Sequence, residues 1–370
     1  MIFLEFIQTL TEGTRTPHPE DSILLGKAAA LSAIDDMMSA VVNPKTVSIK
    51  WDGSPAIIFG RRVDGKFTMN YKEYINMPGG QVTTSDELLH FYTSHGKNLE
   101  VGQKLASIFN AVASIVPPGF KGFIQGDVMW TEPLKLDDGK FVFHPNPYGV
   151  YYKVGKSAIP YKEIQGRSVG IAVHTYGSDI VAGKEPLAGK HSLDGLGGLS
   201  PSNKFITILT GNMGTQFKIK TPVTLETKAR TMVNTYGDSI DAFINSISAS
   251  ARAVLQTYYN RKYTKQPMDT SWLPTKLGNK QYAIFTAAEN QPAIDGIDKI
   301  YGAIYNLKLG LLSQLEPQVK GVEQYVNTAP VGAKPILVPK GEGFNIDSPN
   351  GFLKLVDRGV FSAANFAGRA

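Results

Sequence analysis

Lys50, Asp52 and Gly53 lie in the run VSIKWDGSPAIIFGRR, Val47 to Arg62, and are the residues here whose types and spacing best suit covalent chemistry. A lysine amine is a nucleophile only when neutral, a form that nearby cations or burial favour. An aspartate two residues on can orient the amine or the turn. The glycine after it permits a tight turn and lets a ligand approach the backbone closely. A β-like run precedes the lysine and another follows Pro55, so Lys50-Trp51-Asp52-Gly53 stands at a strand end. Taken alone, the four residues also describe an ordinary surface turn.

Further residues downstream make the chain resemble the covalent nucleotidyltransferase superfamily, the ATP-dependent DNA and RNA ligases and the RNA capping enzymes. The first motif of that family is Lys-x-Asp-Gly, with the lysine carrying AMP or GMP. Its third motif, an acidic residue after glycine on a hydrophobic strand, is matched by Gly126-Asp127 in GFIQGDVMW, with aspartate where glutamate is usual. Glu342-Gly343-Phe344 matches the fourth, and Lys354 in FLKLVDR the lysine-bearing strand of the fifth. The order is that of the family, and the spacings suit it: Asp127 follows Lys50 by 77 residues and Lys354 follows Glu342 by 12.

The resemblance implies ATP and Mg2+ as cofactors and Lys50, Asp52 and Lys354 as the catalytic residues. Gly53, Lys72, Asp127, His174 and Glu342 would hold the nucleotide, and Asp127 and Glu342 the magnesium or the ribose hydroxyls. Lys72 ends the strand KFTMNYK, where a solvated lysine is an equally good reading. His174, or Tyr176 beside it in VGIAVHTYG, stands where the family places an aromatic on the purine; a core histidine with an ordinary hydrogen bond is the competing reading. Three departures favour an RNA-ligase-like or a divergent enzyme. Pro55 replaces the arginine usual in DNA ligases. Val356 replaces a second lysine, with Arg358 the nearest basic substitute. Only fourteen residues follow Val356, so no C-terminal OB domain is expected.

The elements that must position these residues follow from periodicity. Ile23, Leu31, Ile34, Met38 and Val41 give a helix over Ser22–Val41, with His18 as a contact at its start and Asp21 as its N-cap. Leu105, Ile108, Phe109, Val112 and Ile115 give another, stopped by Pro117-Pro118. Val47–Ile49, Ala56–Phe59, Phe67–Tyr71, Gly122–Trp130, Val150–Val154 and Val169–Thr175 have strand composition, and FHPNPYGVYY, with His144 and Asn146, a turn. A glycine-rich connection over Ala182–Gly198 leads to helical patterns over Val223–Tyr259 and Ala293–Leu315, and Pro335–Val356 is β-like again. The expected fold is α+β: a ligase-type nucleotidyltransferase fold of antiparallel sheets flanked by helices, with a mostly helical insertion. Its segments are a leader over 1–12, the first part of the core over 13–181, the connection and insertion over 182–334, and the last part of the core over 335–370.

Composition sets the outer limits. The absence of cysteine excludes a disulfide framework and a thiolate metal site, and no apolar run is long enough for a membrane helix. Residues 204–320 carry 14 basic and 8 acidic side chains, which accounts for the whole net charge of +6. Such an excess suits a polyanion and equally suits a solvated face.

The function expected from the resemblance is ATP-dependent joining of polynucleotide ends through lysyl-AMP, on RNA more than DNA, with a 5′-phosphate and a 3′-hydroxyl as substrates and no membrane partner. Two alternatives stay open: AMP transfer to a protein or small acceptor, and a packaged nucleic-acid-binding protein with a decayed site. The first residues, MIFLEFIQTLTE, resemble the capsid-targeting peptides of large tailed phages, which the prohead protease cuts after Leu-x-Glu; Leu10-Thr11-Glu12 fits. That resemblance implies a bacteriophage protein of the host cytoplasm that is also packaged in the phage head. Protein recovered from virions should then begin at Gly13 by N-terminal sequencing. Full-length chains starting at Met1, found only in the infected cytoplasm, would refute packaging.

Overall fold

The structure, a computed structural model, describes residues 18–145, 150–177, 185–186, 199–200, 203–211, 217–327, 329, 334, 336–339 and 341–362. The expected leader, Asn146 of the expected turn and all of the glycine-rich connection except Glu185–Pro186 lie outside them.

Along the chain, a 3-10 turn, Pro19–Leu25, leads into α1 (Lys27–Val42), followed by β1 (Val47–Ile49), β2 (Ala56–Arg61) and β3 (Phe67–Tyr71). Two helices follow, α2 (Ser85–Ser94) and α3 (Leu99–Ala113), then β4 (Gly122–Trp130), β5 (Leu136–Asp137), β6 (Lys140–Phe143) and β7 (Val150–Val154). After the short α4 (Pro160–Ile164) come β8 (Val169–Gly177), β9 (Glu185–Pro186) and β10 (Ile206–Leu209). The helices α5 (Val223–Ser246), α6 (Ala249–Tyr263), α7 (Trp272–Thr286) and α8 (Gln291–Leu315) precede β11 (Val322–Asn327), β12 (Leu337–Pro339), β13 (Phe344–Ser348) and β14 (Gly351–Leu355). The class is α+β, and no helix among the described residues is long and apolar enough to cross a membrane.

The contacts divide the chain into two compact units. The sheet unit takes in residues 48–215, 319–342 and 368–370 so far as they are described. Its larger sheet runs β10-β8-β4-β2-β3, with β9 on β8. All its pairs are antiparallel except the parallel pair of β10 with β8. The second sheet is antiparallel, in the order β12-β11-β7-β6-β5. Strand side chains alternate between faces. Ile57, Phe59, Met69, Ile124, Val128, Ile171 and Val173 therefore form one apolar face of the larger sheet. It is buried against Leu88 and Phe91 of α2 and Leu105, Ile108, Phe109 and Val112 of α3. Ala56, Lys72, Asp127 and His174 belong to the opposite face.

The helical unit takes in residues 1–47, 216–318 and 343–367 so far as they are described, with α5 packed on α1 and α8 and the hairpin of β13 and β14 alongside α1. The single helix expected over Ser22–Val41 is broken at Gly26, whose φ of 107° lies where side chains are strongly disfavoured. Asp21 is not an N-cap. It is buried, its Oδ1 and Oδ2 accept from Arg358 at 2.9 and 2.5 Å, and Oδ1 also accepts from the Tyr301 hydroxyl at 2.9 Å. Beside it Lys308 Nζ meets Glu20 Oε1 at 2.5 Å, both side chains fully buried, and Arg358 Nε lies 3.2 Å from the same oxygen. Burial pushes the Lys308 ammonium down to about 8 against the opposing pull of Glu20. The helix expected over Val223–Tyr259 is two helices, because Ser248 turns extended and its Oγ caps α6 by accepting from Ala251 N–H at 3.1 Å.

This packing redistributes the charge. Arg230 pairs with Asp35 and Glu226, Lys27 with Asp238 and Lys262 with Asp298, all inside the helical unit. The sequence of that unit holds 17 basic and 16 acidic residues, against 21 and 16 in the sheet unit. The positive excess belongs to the sheet unit. Because removing one partner of a buried ionic group leaves the other charge uncompensated, Arg358→Met should cost about 3–5 kcal/mol. Urea unfolding checks this; a loss under ~1 kcal/mol would contradict it.

Candidate active site

The turn after β1 is built from the inside outward. Ile49 N–H donates to Gly211 O at 2.8 Å, which fixes the strand end. Trp51 is 2% exposed; its Nε1 donates to Thr210 O at 3.1 Å and its ring lies 5.0 Å from Tyr152 and 6.4 Å from Phe143. With Trp51 pointing inward, Lys50 and Asp52 on either side of it are half-buried. Asp52 N–H donates to the Tyr152 hydroxyl at 2.8 Å, and burial raises the pKa of that phenol far above its ordinary value, which keeps it a neutral partner. Gly53 N–H donates to Asp127 Oδ2 at 3.1 Å. A Cβ on Gly53 would lie 2.7 Å from Met129 Sδ and 2.8 Å from Asp127 Cβ and Val128 O, so only glycine fits.

Lys50 Nζ makes a direct ion pair with Glu342 Oε1 and lies 3.9 Å from Asp52 Oδ1. Glu342 is 2% exposed, its N–H donates to Gln324 Oε1 of β11 at 2.7 Å, and its Oε2 is buried with no hydrogen-bond partner among the described residues. Asp127 Oδ2 also meets His174 Nε2 at 2.9 Å. The pairing of β4 with β8 shifts register between Gln125 and Gly126, opposite Thr175 and Val173, so His174 is the extra residue of a β-bulge. Such bulges re-aim a side chain, and here the ring turns onto Asp127. Burial alone would raise the Asp127 pKa. His174, the Lys50 charge and the Gly53 N–H outweigh it and hold the carboxyl below its ordinary value. Lys72 continues the same row across the sheet: its N–H donates to Ala56 O at 2.9 Å, and Ala56 is paired with Asp127.

Lys50, Asp52, Gly53, Asp127, His174 and Glu342 therefore form one group within the sheet unit, with Lys72 on the same sheet face. Lys354 lies on β14 of the helical unit, opposite Asn345. Val356 is buried, and Arg358, bound to Asp21 and Glu20, is not a surface phosphate ligand. Tyr176 packs elsewhere, its hydroxyl donating to Lys121 O at 2.9 Å, and His144 meets Tyr151 edge to face with ring centroids 4.0 Å apart. Tyr152 and Gln324 were missed in the sequence, because their parts in the site come only from the pairing of β7 with β11, where they are direct partners.

No group of three or more His, Cys, Asp or Glu side chains among the described residues is arranged to hold a metal ion. Magnesium needs less, since it is commonly bound by one or two carboxylates together with phosphate and water oxygens. The unpartnered Glu342 Oε2 fits that requirement. Asp127 Oδ2 is already occupied by His174 and Gly53.

The chain matches the family of unknown function DUF6267 over residues 16–369 and belongs to it. No curated protein and no solved structure matches it.

Because the Asp127 pKa is lower folded than unfolded, the carboxylate stabilises the fold fully above its unfolded pKa of about 3.9, and that contribution is lost as pH falls through the folded value. The difference in thermal midpoint between wild type and Asp127→Asn should shrink as pH is lowered below ~4. A constant or widening difference would contradict the assignment.

Proposed function

We propose that the protein is an ATP-dependent polynucleotide ligase, acting through lysyl-AMP on Lys50 and on RNA in preference to DNA. The observation that carries this reading is the ion pair of Lys50 with Glu342, residues 292 apart in sequence, beside Asp52, Asp127 and His174. With the function goes a ligase-type nucleotidyltransferase fold, the α+β architecture being its coarser frame.

Each step is an in-line displacement at phosphorus, so the protein contributes mainly position and charge. Lys50 gives up a proton, for which Glu342 Oε1 is the acceptor in contact, and its nitrogen bonds to the α-phosphorus of ATP as pyrophosphate leaves. AMP then passes to a 5′-phosphate end, and a 3′-hydroxyl displaces it. Asp52 and Glu342 orient the amine. Glu342 Oε2 would hold magnesium, which would neutralise phosphate charge. Asp127, fixed by His174 and Gly53, receives the ribose, and Lys72 lies on the sheet face that the phosphates would occupy. Lys354 takes its phosphate-neutralising role from its motif.

The test is incubation with α-labelled ATP and magnesium, followed by a denaturing gel with and without 5′-phosphorylated RNA or DNA. Wild type should take an acid-labile label and lose it to the polynucleotide. Lys50→Arg keeps the positive charge but cannot supply a neutral amine, and should take none while remaining folded. Undiminished labelling of Lys50→Arg would remove the assignment. Label that forms but passes to neither polynucleotide would indicate a different acceptor, and wild type without label would indicate a binding protein.

A further inference from the structure

At the sheet end that carries Lys50, the sheet unit also gathers lysines that its carboxylates do not neutralise. Antiparallel pairing of Ile57 with Tyr71 places the start of β2 and the end of β3 together, so residues 50–54 and 71–74 share that end. α3 runs along β2 from there. Lys104, in its first half, donates from Nζ to Ser54 O at 2.7 Å, whereas Arg61 at the far end of β2 donates to the carbonyls of Val116 and Pro117 beyond the other end of α3. Lys97, two residues before α3, lies with Nζ 4.7 Å from the centre of the Tyr74 ring, which is braced by Tyr71 and Tyr92 at 5.1 and 5.6 Å.

We propose that Lys97 and Lys104, with Tyr74 beneath Lys97, form a contact for the phosphate backbone of a polynucleotide strand leading to Lys50. This rests on the proposed ligase activity for its direction, and on the sheet unit alone for its chemistry. Among the described residues, neither lysine has a carboxylate within 4.0 Å. Glu100, one turn before Lys104 on α3, is the acidic group that acts on it, and only at longer range. Lys104 uses one of its three donors on a neutral carbonyl, leaving two for phosphate oxygens. Half-burial disfavours its charged form, so an arriving anion recovers charge that desolvation now penalises. The ring under Lys97 holds that ammonium in place without neutralising it. Basic side chains interleaved with aromatics are how proteins track a strand without reading its sequence. The charge balance agrees, since the sheet unit holds 21 basic against 16 acidic residues.

The test measures binding of a 5′-phosphorylated single-stranded RNA, and of the DNA of the same sequence, without ATP, by fluorescence anisotropy across a range of salt. For Lys97→Ala/Lys104→Ala, the slope of log affinity against log salt should fall by about 1.4, at ~0.7 for each lost single-strand phosphate contact. Lys104→Arg should keep its share of the slope, because the charge is kept. AMP transfer to the polynucleotide should fall in the double variant, while self-labelling with ATP alone persists. An unchanged salt slope would overturn the proposal. So would an equal loss of self-labelling and transfer in a folded double variant, which would mean that Lys104 serves only to hold the Ser54 turn. If wild type takes no label, the ligase reading fails and the binding comparison still decides whether this contact exists.

Discussion

The ion pair of Lys50 with Glu342 is the constraint on which the rest of the site depends. A carboxylate 2% exposed would be costly without a cation, and it has one in the lysine of a turn 292 residues earlier in the chain. Glu342 is anchored by Gln324 through its backbone N–H, and Gln324 is held by the pairing of β11 with β7. Lys50 is anchored by the burial of Trp51 between the Thr210 carbonyl and Tyr152, which also belongs to β7. Both ends of the ion pair thus hang from directly paired residues of adjacent strands, Gln324 of β11 and Tyr152 of β7, and that is what gives a flexible lysine a defined place.

The larger sheet supplies the other half. Its apolar face is sealed by α2 and α3, so the alternation that buries Ile57, Val128 and Val173 turns Ala56, Asp127 and His174 the other way. The bulge at His174 then brings its imidazole Nε2 onto Asp127. In the helical unit Glu20 and Asp21 are instead paired internally with Lys308 and Arg358.

Much of this was legible in the sequence where local chemistry decides the outcome. Val47–Ile49, Phe67–Tyr71 and Gly122–Trp130 are strands over the expected residues, because branched and aromatic side chains between turn formers have few other places to go. The break at Gly26 was hidden by an apolar pattern that runs through it. α2 was missed although Thr84-Ser85-Asp86-Glu87 carries a capping signature, with Thr84 Oγ1 accepting from Glu87 N–H. β11 was missed because VEQYVN alternates weakly, and its place comes from its partners. Motif order singled out Lys50, Asp52, Gly53, Asp127, His174 and Glu342, which lie together. It could not show that Asp127 and His174 bind each other or that Arg358 is consumed by Asp21, since those contacts join residues far apart in the chain.

The most direct measurement is peptide mapping by tandem mass spectrometry of protein exposed to ATP and magnesium. The account predicts an AMP adduct on the peptide containing Lys50, at that residue, and none when the ATP carries a non-hydrolysable link between its α- and β-phosphates. An unmodified Lys50 peptide from folded, fully recovered protein, or AMP confined to another residue, would contradict it.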